Sequence, residues 1–223
     1  MAWRCSGNTN SKLVDNLARA HIISSAQVIA AMHTVDRAHF CRESPYEDSP
    51  QGIGYGATIS APHMHGYALE GLREYLKPGM RALDVGSGSG YLTACMAAMV
   101  GSSGHVVGIE HIPELTEQSL VDLCAHYPEW VESKRIKVVT GDGRKGYADA
   151  APYDCIHVGA ASPKRPTELL AQLKSPGRMF VPVGTGLQYI VVYDKDSQGN
   201  IAEEQVMGVR YVPLTDAAKQ WTD

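Results

Sequence analysis

Arg81-Ala82-Leu83-Asp84-Val85-Gly86-Ser87-Gly88-Ser89-Gly90-Tyr91 decides the fold. A short apolar run ends in a glycine-dense turn, and Tyr91 to Val100 then reads as a helix. A strand that enters a helix through Gly86, Gly88 and Gly90 forms a pocket where backbone N–H groups approach a ligand closely. Asp84 sits near the turn-facing end of the strand, where a carboxylate meets a cationic or hydroxylated ligand.

Outward from this turn, strands at 81–85, 105–110, 136–140, 153–158 and 178–183 alternate with helical patterns at 91–100, 113–126 and 166–173. That alternation predicts βαβ crossovers and an α/β fold with a doubly wound, mostly parallel sheet. Two later strands, about 188–193 and 206–212, flank a turn at Asp196 to Asn200 and read as antiparallel. The tail from Thr215 to Trp221 reads as a short amphipathic turn or helix. Ahead of the core, Ser11 to Ile23 reads as a helix behind a serine cap, and Ser24 to Gln27 fits a capping box that opens a second. Pro45, Pro50, Gly52, Gly54 and Gly56 make 41–57 a long irregular loop. Pro62 suits the first turn of a helix reaching Leu76, so Thr58 and Ser60 lie at a helix N-terminus. The whole chain, 1–223, reads as one domain, with N-terminal helices and a ligand loop (1–76), a cofactor-binding core (77–183) and C-terminal strands and tail (184–223).

With 223 residues the chain is long enough to bury a sizeable core. The formal net charge is −4 and no lysine or arginine block occurs, which disfavours nucleic acid and anionic membranes as partners. Five scattered cysteines with no CxxC pair point to reduced thiols and a cytoplasmic setting. No apolar run approaches membrane-spanning length.

Glu110 ends the second core strand, twenty residues after Gly90, where an acid takes both ribose hydroxyls of an adenosine ligand. Asp142-Gly143 follows the third strand, where a carboxylate accepts from an exocyclic adenine amine. Strand-end acids also serve as plain helix caps, and that alternative stands beside the ligand reading. A dinucleotide prefers Gly-x-Gly-x-x-Gly and a pyrophosphate on the helix N-terminus. Here the spacing is Gly-x-Gly-x-Gly with Asp84 two residues ahead, which suits a cation better. This segment, followed by the ribose-type acid, resembles the Rossmann-like methyltransferases that use S-adenosyl-L-methionine. No Asn/Asp-Pro-Pro-Tyr motif follows the fourth strand and no Pro-Cys nucleophile is present, so a carboxylate or hydroxyl acceptor is the better class.

Further blocks narrow the resemblance. Asp48 to Gln51, Ile53 to His65, Gly141 to Arg144, Pro152 to Ala161 and Met207 to Asp216 are similar to the protein-L-isoaspartate O-methyltransferases of animals. The similarity runs from Met1-Ala2-Trp3 to Lys219-Gln220-Trp221. Gly66 and Cys155 stand where alanine is usual, and the loop at Gly184 to Gly186 is short. The resemblance implies methylation of the abnormal carboxylate of L-isoaspartyl residues, and of D-aspartyl residues, in damaged proteins. The ester then closes to a succinimide whose hydrolysis partly restores aspartate. It implies isoaspartyl peptides as partners and S-adenosyl-L-homocysteine as product; nothing in the sequence suggests an obligate interface, so a monomer is expected.

It also assigns Ser60 as the catalytic residue. A carboxylate is already ionised at pH 7, so Ser60 is expected to orient the acceptor rather than to become a nucleophile. Cofactor contacts are expected from Ala57, Thr58, Ile59, Ser60, His65, Asp84, Gly86, Ser87, Gly88, Ser89, Glu110, His111, Asp142, Gly143, Thr215 and Gln220. His65 is one turn into the helix and lines the cofactor pocket; His63 is structural. The two diverge on a helix, so no metal site is expected. Val212 to Leu214 and Gly54 to Thr58 are expected to wall the peptide groove. A carboxyl or hydroxyl methyltransferase for a small acid, and a non-catalytic cofactor-binding module, are the competing readings.

Overall fold

The computed structural model describes residues 5–220. Met1-Ala2-Trp3 and Trp221, the outermost blocks of the resemblance, lie outside the described residues. Among the described residues, nine strands and eight α-helices follow one another as α1 (Asn10–Arg19), α2 (Ala26–Thr34), β1 (Gln51–Gly54), β2 (Ala57–Ile59), α3 (Pro62–Leu72), β3 (Arg81–Val85), α4 (Tyr91–Val100), β4 (His105–Glu110) and α5 (Pro113–His126). Then come α6 (Pro128–Glu132), β5 (Ile136–Thr140), β6 (Tyr153–Val158), α7 (Thr167–Ala171), β7 (Leu173–Val183), β8 (Gln188–Lys195), β9 (Ile201–Val209) and α8 (Ala217–Gln220).

A seven-stranded sheet carries the order β5-β4-β3-β6-β7-β8-β9. The pairs from β5 through β7 are parallel, whereas β8 runs antiparallel to both β7 and β9. The period-2 alternation of the strands divides the core. Ala82, Val106, Ile136, Cys155 and Phe180 pack with α1 to α6 on one face. Leu83, Val107, Ile109, Ile156 and Met179 pack with α7 on the other. Strand order reverses between β3 and β6, and the crevice at their carboxyl ends is where ligands bind in open α/β sheets.

The core strands 81–85, 105–110, 136–140 and 153–158 match the sequence reading residue for residue, as do helices 91–100 and 113–126. Elsewhere the structure corrects it. The α1 cap is Thr9, whose hydroxyl accepts from Lys12 N at 3.2 Å, not Ser11. Ser25 caps α2 without a side-chain bond. Glu70 of α3 does that work instead, its Oε1 accepting from Ser24 N at 2.6 Å and Ser25 N at 2.8 Å. The expected loop at 41–57 ends in an antiparallel hairpin, β1–β2, in which Gln51 faces Ile59 and Gly52 faces Thr58. Its tip needs a left-handed backbone at Gly54 (φ 88°), Tyr55 (φ 53°) and Gly56 (φ 66°), which is why glycines dominate a strand-forming segment. β8 runs two residues past its expected end, whereas β9 (Ile201–Val209) starts five residues before the expected 206–212 and stops three residues short of it; α6 carries no expectation from the sequence.

Gly66 in α3 has a packing reason. A Cβ there would lie 2.8 Å from Ile23 Cγ2. The helical glycine, worth ~1 kcal/mol of propensity against alanine, makes room for a buried isoleucine. Cys155 is fully buried and burial pushes its thiol well up, so it packs as a small apolar residue.

Candidate active site

The turn after β3 places three left-handed glycines in five residues: Gly86 (φ 71°), Gly88 (φ 51°) and Gly90 (φ 84°). The amides of this turn, expected to face a ligand, are mostly bonded internally. Gly86 N and Ser87 N donate to Ile109 O at 2.8 and 3.2 Å, Gly88 N donates to Glu110 Oε2 at 3.0 Å, and Gly90 N donates to Ser87 O at 2.9 Å. A turn whose amides are satisfied this way is no nest for a pyrophosphate. It presents carboxylates instead. Glu110 is buried at the end of β4, with Oε1 accepting from His111 N and Ile112 N. Asp84 is 1% exposed, its Oδ2 accepting from Thr93 Oγ1 at 2.6 Å and its Oδ1 from His157 Nδ1 at 2.8 Å.

Two joined cavities open over this turn. One is lined by Ser60, His65, Asp84, Ser87, Ser89 and His157. The other is lined by Ala57, Glu110, His111, Gly143, Thr215 and Gln220. Thr58, Gly86, Gly88 and Gly159 border both, which makes one continuous cleft. Its floor accepts only glycine: a Cβ on Gly143 would sit 2.6 Å from Val85 Cγ1, and one on Gly159 would sit 2.9 Å from Gly86 O. The hairpin closes over the turn, since a Cβ on Gly88 would stand 3.2 Å from Ile53 Cδ1. A wider cavity of about 590 Å³ lies at the starts of β3, β4 and β5, away from the carboxyl ends, and is mostly apolar.

Ser60 precedes α3, whose N-cap is Ala61. The free amide of His63 in the first turn donates to Asp48 Oδ1 at 3.0 Å, so an aspartate and not the serine hydroxyl caps the helix. Its carbonyl accepts from Arg37 at 2.8 Å, and its side chain meets the Tyr211 hydroxyl. Burial pushes that phenol up to about 12, with the Ser60 hydrogen bond pulling the other way, so it stays protonated. His65, 7% exposed, bonds Arg37 through Nδ1 at 3.2 Å. Burial first, then the charges of Arg37, His157 and His63, hold its imidazole well below the usual histidine range. His63 turns away, Nδ1 meeting Asp48 at 2.8 Å.

On the far side, Gln220 of α8 lies across the cleft. Its Oε1 accepts from His111 Nε2 at 2.9 Å and its Nε2 donates to Tyr55 O at 3.3 Å. Arg144 fastens the same tail by donating to both Asp142 carboxylate oxygens at 2.8 Å and to Asp216 at 2.5 Å. Those bonds hold both carboxyls below their usual range. Asp142 itself faces Arg144 and its neighbour Gly143 lines the cleft. Every expected site residue but Asp142 lines one or other of the two cavities, Ile59 included; the Asp142 carboxylate is held by Arg144 instead. Arg37, His157 and Tyr211 have no assigned role in the sequence reading, because each reaches the site from a distant segment.

The Protein-L-isoaspartate(D-aspartate) O-methyltransferase (PCMT) family model matches residues 8–219, nearly the whole chain. This chain belongs to that family. Curated relatives agree. A Caenorhabditis elegans protein-L-isoaspartate O-methyltransferase is 51% identical over 223 residues, covering 99% of each chain. Protein-L-isoaspartate O-methyltransferase 1 of Arabidopsis thaliana is 50% identical over 217 residues, covering 96% of this chain and 94% of its own. Among solved structures, one from Plasmodium falciparum, described as a putative protein-L-isoaspartate O-methyltransferase in complex with S-adenosyl-L-homocysteine, superposes with a TM-score of 0.88. It is 34% identical and covers 94% of this chain and 99% of its own. The isoaspartate O-methyltransferase fold of this chain is therefore the doubly wound sheet of S-adenosylmethionine-dependent methyltransferases. Its cleft, with buried carboxylates and no anion nest, fits a cationic adenosine cofactor.

Proposed function

We propose that this chain transfers a methyl group from S-adenosyl-L-methionine to the free carboxylate of L-isoaspartyl and D-aspartyl residues in damaged peptides and proteins. The methyl ester initiates repair through a succinimide. Family membership supports the reaction, and one observation supports its location: the Ser60 hydroxyl, free of helix capping, borders the same cavity as Asp84 and the Gly86–Ser89 turn.

The bound cofactor supplies a methyl group on positively charged sulfur. Glu110 would take its ribose hydroxyls and Asp142-Gly143 its adenine edge, while Ala57 to Ser60, His65, Asp84 and Gly86 to Ser89 hold its amino-acid end. His111, Thr215 and Gln220 close over it. The acceptor carboxylate is ionised at pH 7, so the protein needs no general base. Its task is alignment and exclusion of water from two opposite charges. Ser60 orients the acceptor by donating its hydroxyl, and orientation of this kind contributes several kcal/mol, with ~7–11 kcal/mol as the upper range.

Val212-Pro213-Leu214 and the hairpin tip from Gly54 to Thr58 form the peptide groove. The first wall is rigid, since Ala161 N donates to Val212 O and Leu214 N donates to Ala161 O, both at 2.8 Å. Contacts from backbone rather than side chains suit an enzyme that accepts many peptide sequences. No helix among the described residues is long and apolar enough to cross a membrane. With net charge −4 and five free cysteines, we read the chain as a cytoplasmic monomer with no nucleic-acid partner. The test follows an isoaspartyl peptide by chromatography and mass spectrometry with S-adenosylmethionine present. A methyl ester, then succinimide and aspartyl peptide, is expected; an unmodified peptide would refute the assignment.

A further inference from the structure

The Arg37 guanidinium is fully buried beneath the cleft and forms no ion pair among the described residues. It stacks over the Tyr91 ring at 5.3 Å, donates to Ser60 O at 2.8 Å and lies 3.2 Å from His65 Nδ1. Arginine carries only N–H donors and remains charged, so the histidine nitrogen that meets it has to accept. A neutral imidazole that accepts at one nitrogen carries its proton on the other. Nε2 has no hydrogen-bond partner among the described residues, nor is it sealed from solvent, and His65 lines the cavity beside Ser60 and Asp84.

We infer that Arg37 is a positioning residue: it locks His65 as the neutral Nε2–H tautomer and aims that N–H into the cleft as a donor for a carboxylate. Two carboxylates enter this cleft in the proposed reaction, that of the cofactor's amino-acid end and that of the acceptor. The inference rests on that reaction only for what the N–H meets. The tautomer belongs to the protein alone.

The surroundings agree from every side. Arg37 approaches from the segment after α2, and His63 lies on the same helix as His65. His157 and Asp84 face it from β6 and β3, already paired with each other, and the Tyr91 ring packs at 5.0 Å from α4. The nearby charge with a direct contact is the Arg37 cation, which opposes imidazolium. Arg37 also anchors Ser60 through its carbonyl, so one buried cation sets two donors of the site, the histidine N–H by tautomer and the serine by backbone position.

The test begins with cofactor-free protein labelled with 15N in its histidines, read by long-range 1H–15N correlation from pH 6 to 8, with His65→Gln providing the assignment. A neutral His65 with its proton on Nε2 at every pH is expected. A proton on Nδ1, or titration like an ordinary histidine, would overturn the inference on the native protein without any activity assay. Arg37→Gln should mix the tautomers; an unchanged Nε2–H spectrum in that variant would show that Arg37 does not set it. In a second arm, His65→Gln keeps an amide N–H near Nε2, whereas His65→Asn places one near Nδ1. Losses for Asn exceeding those for Gln by about ten-fold or more are expected. They would appear in S-adenosylhomocysteine affinity if the cofactor carboxylate is met, or in peptide KM alone if the acceptor is. Equal losses in both variants and both assays would contradict a directed Nε2 donor.

Discussion

Asp84 shows how one residue serves both the fold and the site. Its carboxylate is 1% exposed and takes hydrogen bonds from Thr93 and His157, while the same residue borders the cavity that holds Ser60. Replacing it by alanine leaves two buried donors without an acceptor. Each such loss costs roughly 1–3 kcal/mol, so Asp84→Ala is expected to lower unfolding free energy by about 2–6 kcal/mol in urea titration. Ser60 is the contrasting case, since its hydroxyl caps no helix. Ser60→Ala removes the hydroxyl and keeps the backbone that borders the cofactor, so it should leave S-adenosylhomocysteine affinity nearly unchanged in calorimetry and lower kcat/KM for an isoaspartyl peptide by about 10- to 100-fold, the value of one hydrogen bond to a charged group. The positions of Asp84, Glu110 and Ser60 were readable in the sequence because strand ends and helix starts are local features. Their partners were not: Thr93, His157, Arg37 and Tyr211 arrive by tertiary folding, and no local spacing announces a partner 73 residues away.

At the scale of the element, the same division holds. Helix α4 and strands β3 and β4 were legible because apolar runs and glycine breaks define their ends without outside help. Helix α2 was located, but its expected Ser-to-Gln capping box is absent. Glu70, 45 residues along the chain, accepts from Ser24 N, Ser25 N and the Ser25 hydroxyl. Gln27 is engaged elsewhere, donating to Leu76 O at 2.7 Å. A helix cap contributes ~1 kcal/mol, with about 2 at the upper end. Glu70→Ala is therefore expected to lower stability by about 1–2 kcal/mol in thermal unfolding, whereas Gln27→Ala should leave the α2 cap intact. The β1–β2 hairpin escaped notice for a different reason. Its three-residue second strand and glycine-rich tip carry too little apolar periodicity, and the pairing is supported by packing of Ile53 over the Gly88 turn.

In the whole molecule, a sheet whose order reverses between β3 and β6 opens a crevice, and a hairpin ahead of the core and the segment after β9 close it. The β1–β2 hairpin covers one side and the tail covers the other through Gln220, Thr215 and the Arg144 clasp. This long-range closure was legible only through the family resemblance, because nothing in the tail's own pattern points to a strand end 72 residues earlier. The clasp is exposed, so salt should weaken it. Arg144 hydrogen bonds hold the Asp142 and Asp216 carboxyls below their unfolded values. Their contribution is complete above about pH 4, where both forms are ionised, and is lost as pH falls through the depressed values. Arg144→Ala should weaken S-adenosylhomocysteine binding about two- to five-fold at neutral pH and low salt, with the difference shrinking at high salt. In the proposed reaction this cleft selects a displaced carboxylate rather than carboxylates in general. That selection is tested most directly by labelled methyl transfer to paired peptides that differ only in isoaspartyl against aspartyl linkage. Transfer to the isoaspartyl member alone is predicted; equal labelling of both, or of neither, would contradict it.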